Sequence, residues 1–461
     1  MSTHVLHKWE PEDKVFWEQE GKRVANRNLW LSIPALLLAF SVWMVWSVVV
    51  VNLPNVGFKF STDELFWLAA LPGLSGATLR IFYSFMIPIF GGRKWTTIST
   101  ASLLLPALGI GFAVQNPDTP YSTFLVLALL CGFGGGNFAS SMANISFFFP
   151  KAQKGTALGL NAGLGNLGVS VMQFLVPLVI TAGVFGGLGG EAQTWIKGDL
   201  TKQMWLQNAG FIWVPFIVLS TIGAWLGMND VASAKASFSD QAIIFKRKHN
   251  WLMCWLYLGT FGSFIGYSAG FPLLIKSQFP EVNPTQYAFL GPLVGALVRP
   301  VGGWMADKLS GAGVTFWNFI VMVLAVIGVL YFLPSGASGG SFWGFFAMFM
   351  LLFATTGIGN GSTFRMIPVI FLTEREREAQ GKGPAAMAQA VKDASKESAA
   401  VLGFTSAFAA YGAFFIPKSY GTSITLTGGP EAALYTFVVF YLTCIVMTWW
   451  YYSRKNAEMP C

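Results

Sequence analysis

Residues 68–90 read LAALPGLSGATLRIFYSFMIPIF, and residues 287–307 read YAFLGPLVGALVRPVGGWMAD. Each is an apolar run long enough to cross a bilayer, and each carries one arginine, Arg80 or Arg299, with no acidic residue placed to neutralise it. The two runs align as L-x-x-L-x-G-A-x-x-R: Leu71, Leu74, Gly76, Ala77 and Arg80 in the first, Leu290, Leu293, Gly295, Ala296 and Arg299 in the second. An arginine at mid-bilayer costs about 2.5–3.5 kcal/mol on insertion scales. Two such charges without a counter-charge imply an anion that visits. The pair therefore predicts a membrane protein that binds a small anion between two related halves.

Composition supports the membrane assignment. Of 461 residues, 54% are hydrophobic and 11% charged, against about 25% charged in soluble domains, and the mean hydropathy is +0.55. The apolar runs are too long for barrel strands, so the fold class is all-α integral membrane. Twelve spans are predicted, near 29–52, 65–90, 96–115, 121–149, 155–182, 209–228, 251–276, 285–306, 314–333, 341–372, 399–417 and 432–452. With both termini on one side, 21 of the 29 Lys and Arg fall on that side, five fall opposite, and Arg80, Arg299 and Arg365 lie in spans. The positive-inside rule makes both termini cytoplasmic. The net charge of +8 then reflects topology, not a nucleic-acid partner.

The predicted organisation is a cytoplasmic segment 1–28, a six-helix half 29–228, a cytoplasmic loop 229–250, a second six-helix half 251–452 and a cytoplasmic tail 453–461. The first segment is polar and mixed in charge, with no cleavable signal peptide. It reads either as a surface amphipathic helix or as a solvated tail. Cys131, Cys254, Cys444 and Cys461 show no metal-ligand or redox spacing, so neither disulfide nor metal is expected. Two further echoes accompany the arginine repeat. Gly134-x-Gly136-Asn137 in span 4 matches Gly357-x-Gly359-Asn360 in span 10, and Leu158-Gly159 with Gly168 in span 5 matches Leu402-Gly403 with Gly412 in span 11. Three pairs in the same order indicate duplication of a six-helix unit, the architecture of alternating-access carriers.

Arg80 and Arg299 each lie about 22 Å along their helices at 1.5 Å per residue, near mid-depth. Guanidinium offers two parallel N–H donors to a flat oxyanion. The bland alternative is a structural arginine bonded to carbonyls or snorkelling, which the symmetry of the pair disfavours. Arg365, near the cytoplasmic end of span 10, is read as snorkelling. All 21 Asp and Glu, and His4, His7 and His249, map to loops, tails or span ends. No proton relay is therefore evident, and an empty site near +2 is a poor state for crossing. Obligatory exchange follows more naturally than proton symport. In span 5, Gly155, Gly159, Gly163, Gly165 and Gly168 make a small-residue face suited to packing or to sliding, and Asn166 either bridges helices or touches substrate. Tyr257 and Phe261 share one helical face. Together with Phe138 they could sandwich a planar anion, although most phenylalanines in such a chain are core or lipid-facing.

The motifs RNLW (27–30), LLCGFGGGNFASSMANISFFFPK (129–151), the glycine–asparagine run of span 5, YLGTFGSFIGYSAGF (257–271) and GFTSAFAAYGAFFIPKSYG (403–421) closely resemble the bacterial nitrate/nitrite porter family of the major facilitator superfamily. The superfamily loop motif appears as Gly303-x-x-x-Asp307-Lys308-x-x-Gly311. The resemblance implies a major-facilitator fold of two pseudo-symmetric halves. It also implies a nitrate or nitrite site clamped by Arg80 and Arg299, with Tyr257, stacking Phe138 and Phe261, and Asn166. Conformational glycines would fall on Gly159, Gly163, Gly165, Gly168, Gly403 and Gly412. The chain departs from the family at Ala162, Ala409 and Ala413, where glycine is more usual, and this bears on turnover more than on substrate class. The resulting expectation is a monomeric nitrate/nitrite exchanger of the bacterial inner membrane with no cofactor. Proton-coupled nitrate symport is the alternative, and an organophosphate:phosphate exchanger a remoter one. No metal cluster, nucleophile–base set or large soluble domain supports an enzyme or a receptor.

Overall fold

The computed structural model describes residues 4–232, 234 and 242–461. Residues 233 and 235–241 of the predicted inter-half loop, with Lys235 and Asp240, lie outside the described residues. Among those described, twelve helical runs are long and apolar enough to cross a membrane. They are α1 (Lys14–Val56), α2 (Thr62–Tyr83), α3 (Gly92–Ala113), α4 (Tyr121–Phe148), α5 (Lys151–Val179), α6 (Asn208–Gly227), α7 (Lys248–Gln278), α8 (Pro284–Lys308), α9 (Gly311–Phe332), α10 (Phe342–Ala379), α11 (Pro384–Thr427) and α12 (Glu431–Ser453). Each predicted span falls on one of them. The larger differences are at ends. α1 begins well before residue 29, and α10 and α11 run past their predicted limits, because helical pairing continues where hydropathy has already fallen. α2 stops at Tyr83, short of 90, because residues 84–85 turn although the sequence is still apolar.

The chain forms two compact units. The first comprises Met1–Ala236, Ser268–Phe289 and Ala413–Gly421, and the second Ser237–Tyr267, Leu290–Gly412 and Thr422–Cys461. Packing thus assigns two stretches of the second sequence half to the first unit. They are anchored there by polar contacts. Gln173 Nε2 donates to Ser268 O at 2.8 Å, Lys276 Nζ donates to Val51 O and to Asn55 Oδ1, and Lys418 pairs with Asp63 at 2.8 Å. The Ala413 backbone lies against Gly73 of α2, where a Cβ would collide with it.

The N-terminal segment is not a solvated tail: from Lys14 it is helical, with Trp17 buried and most of its neighbours exposed, as an amphipathic surface helix requires. Asp13 caps the first turn by accepting from Val15 N and Phe16 N. Trp17 is 4% exposed and packs with Phe148, Phe149, Ala25 and Leu29. Trp9 Nε1 donates to Phe147 O at 2.9 Å. Strand β1 (Val5–Leu6) pairs with β4 (Asp230–Val231), just beyond α6. Between α5 and α6 the chain makes a hairpin, β2 (Gln193–Lys197) and β3 (Leu200–Met204), where no strand was expected. Gly198 at φ 58° supplies the left-handed conformation that a two-residue hairpin turn needs.

The second unit holds a buried carboxylate next to the predicted span 399–417. Glu397 is not in a loop: it lies inside α11 and is 4% exposed. It contacts Arg375 Nη2 and pairs with Arg247 at 3.4 Å, and these two arginines also reach Glu374 and Glu378. Two arginines and three glutamates thus tie the start of α7 and the end of α10 to α11. Asp230 in the first unit is likewise buried, against Arg93 at 3.5 Å.

Candidate functional site

In the first unit the site is built around α2. Ser61 and Glu64 form a reciprocal capping box that starts this helix, and Arg80 sits near its other end, 0% exposed. The GxGN motif of α4 packs beside it. Arg80 Nε donates to Gly135 O at 2.8 Å, and its guanidinium carbon lies 4.7 Å from the Phe138 ring, 5.0 Å from Trp43 and 6.0 Å from Phe40. Phe138 is buried and meets Phe40 edge-on at 6.0 Å. Asn166 on α5 is 1% exposed, and its Oδ1 has no hydrogen-bond donor among the described residues.

In the second unit α7 carries a π-helical turn over Leu258–Gly262, a distortion frequent at functional sites. It sets the Tyr257 and Phe261 rings in parallel, 5.5 Å apart with planes 14° from coplanar. Arg299 of α8 donates from Nη2 to the Tyr257 hydroxyl at 3.3 Å and lies 5.4 Å from the Phe364 ring. Its Nη1 is buried and has no acceptor among the described residues. Each unit therefore presents one guanidinium against an aromatic wall. Arg80, Phe138 and the GxGN motif come together in one unit, and Arg299, Tyr257 and Phe261 in the other.

The motif glycines divide into two classes, and repeat partners share a class. A Cβ on Gly168 would strike the Leu37 carbonyl of α1, and one on Gly412 would strike the Gly262 backbone of α7. These are contacts of the fifth helix of each half with the first. Gly165 rests on the Leu36 side chain. In contrast, Gly159, Gly163 and Gly403 have open space where a Cβ would be. Ala162, Ala409 and Ala413 are all buried, so each added methyl occupies packed volume. Gly168→Leu and Gly412→Leu are expected to destabilise by about 3 kcal/mol or more through overpacking against backbone. Gly163→Leu should melt within about 2 °C of wild type. Melting of the purified variants in detergent checks both, and a Gly168→Leu protein as stable as wild type would contradict the α1–α5 contact.

Comparison with known proteins gives the lineage. The family model described as Major Facilitator Superfamily matches residues 35–391. The chain is 54% identical to the "Nitrate/nitrite transporter NarU" of Escherichia coli (strain K12), covering 99% of this chain and 97% of that protein. The chain belongs to the nitrate/nitrite porter family of the major facilitator superfamily. A Thermus thermophilus relative described as "Probable nitrate/nitrite antiporter NarK2" is 44% identical over 98% of this chain and 97% of its own. A D-xylose-proton symporter structure superposes with a TM-score of 0.66 at 13% identity, covering 92% of this chain and 97% of that one, which shows the fold alone. The porter is a multi-pass membrane transporter and not an enzyme.

Three features of the porter's site were not legible in its sequence. Trp43 and Phe40 of α1 and Phe364 of α10 wall the arginines, but nothing distinguishes them from other apolar residues in their spans. The π-turn leaves no trace except two nearby glycines. Arg365 reaches a half-exposed position, as snorkelling requires, and its partner there, Asp307 of the superfamily loop motif, is what the sequence did not name. In that motif Ser310 adopts φ 147°, donates to Cys461 O at 2.9 Å and accepts from Gly313 N.

Proposed function

We propose that this porter exchanges nitrate and nitrite across the cytoplasmic membrane by alternating access, with both termini cytoplasmic. Arg80 and Arg299 clamp the anion, Phe138 and Phe261 lie against its faces, and Tyr257 and Asn166 complete its shell. The observation that carries this reading is Arg299 Nη1, a buried cationic donor with no protein acceptor among the described residues. A buried donor left without an acceptor is costly, and a bound anion supplies the missing partner. The names of the two relatives agree in substrate class, and one of them is called an antiporter.

Exchange, as against proton symport, is supported by the state of the buried carboxylates. Glu397 is paired with two arginines and Asp230 with one, so each already has a fixed counter-charge. An empty clamp with two positive charges reorients reluctantly, and a bound anion must accompany each crossing. Labelled nitrate uptake into proteoliposomes tests this. Internal nitrite or nitrate should raise uptake by about tenfold or more, corresponding to at least about 1.4 kcal/mol on the crossing barrier, and an imposed pH gradient should have no effect. Accumulation in vesicles without internal anion, driven by acid outside, would instead establish symport. Strong inhibition by phosphate at equal concentration would favour an organophosphate exchanger.

A further inference from the structure

We infer that Trp43 is a positioning residue for Arg80, holding the guanidinium plane in the orientation in which it meets the anion. The inference rests on the clamp proposed above and adds a residue to it. An arginine side chain has many rotamers, and its fork is selective only when its plane is fixed. Trp43 is 0% exposed, and its indole Nε1 donates to Pro72 O at 2.6 Å. Pro72 lies on α2, the helix that bears Arg80, so the ring is tied to the same rigid element as the charge it faces. The guanidinium carbon lies 5.0 Å from this ring, within cation–π range, while Nε is held by Gly135 O.

The slot around the indole is built for it. A Cβ at Gly76 or at Gly135 would strike the ring, and one at Gly134 would approach the Trp43 Cβ. Gly76 is the glycine of the L-x-x-L-x-G-A-x-x-R repeat, four residues before the arginine. Its partner Gly295 likewise faces an aromatic ring, that of Phe264, which also comes from the first helix of its half. The glycine of the repeat therefore has a physical reason: it admits an aromatic ring from the neighbouring helix beside the arginine-bearing turn.

A residue that only fills the core would change stability or turnover. A positioning residue changes anion affinity, and does so only while Arg80 has a fork to orient. Trp43→Leu should raise the KM for nitrate about tenfold, with maximal exchange rate within about two-fold of wild type. Trp43→Phe keeps a ring face and should stay within about three-fold of the wild-type KM. In an Arg80→Lys background Trp43→Leu should add less than about two-fold, the non-additivity expected of residues acting as a unit. Effects on KM that multiply independently, or a loss confined to maximal rate, would overturn the assignment. Should Trp43→Leu fail to insert, the same cycle with Trp43→Met, which also removes the ring, measures the same coupling. The cycle is also run on melting temperature in chloride buffer without nitrate. Wild type that fails to exchange nitrate refutes the substrate reading, whereas additive melting shifts refute the Trp43–Arg80 coupling whatever the substrate is.

Discussion

Arg80→Lys and Arg299→Lys are each expected to weaken nitrate binding by about 10- to 100-fold, from the loss of a charged hydrogen bond worth about 1.5–3 kcal/mol. Lysine keeps the charge but not the planar fork. The two variants should differ in kind. Arg80 is fully buried among Phe138, Trp43 and Phe40 and donates to Gly135 O, so Arg80→Lys also forfeits a contact that fixes the arm to α4. Arg299 is held by the Tyr257 hydroxyl at 3.3 Å and keeps a buried donor without an acceptor among the described residues, so Arg299→Lys mainly loses the bond that the anion itself accepts. Nitrate titration of purified protein, with insertion verified, measures both. Wild-type affinity in either variant would remove that arginine from the site.

Glu397→Ala is expected to destabilise the protein by about 3 kcal/mol, the lower end of the range for breaking a buried ion pair. The side chain is 4% exposed and meets Arg375 and Arg247 together. Its loss leaves those two guanidiniums dependent on Glu374 and Glu378, which keeps the cost from rising higher. Glu378→Ala is the control. Its side chain is 44% exposed although it also contacts both arginines, and solvent screening should hold its effect to about 1 kcal/mol or less. Melting of the two variants in one detergent distinguishes them. Equal losses would mean that the network is solvated and that burial does not set its energetics.

How much of this was legible beforehand depends on the range of the interaction. The twelve spans were, since a bilayer demands about 20 apolar residues per crossing and composition reports that directly. The alignment of residues 71–80 with 290–299 put Arg80 and Arg299 on the second helix of each predicted half, α2 and α8. The pairing of Gly168 with Gly412 foretold two glycines that play one packing role, against Leu37 and Gly262. The shared helical face of Tyr257 and Phe261 became a pair of parallel rings. Each of these depends on residues within a few turns of one helix, or on identity between repeats.

Partner choice across helices was not legible. Hydropathy placed Trp43 in a span but could not say that its ring fills the slot between Gly76 and Gly135. Charge counting put Glu397 outside the membrane helices, because the apolar run starts well after helix α11 begins at Pro384. Only the approach of Arg247 and Arg375 shows how a carboxylate is tolerated in that buried position. The polar N-terminal segment gave no sign that Trp9 and Trp17 dock on the α4–α5 turn. By itself the sequence determined which segments enter the membrane and which charges have no local reason to be there. The tertiary structure decided what each of those charges and rings meets, because a contact between distant segments depends on packed volume and donor geometry, which a linear pattern does not encode.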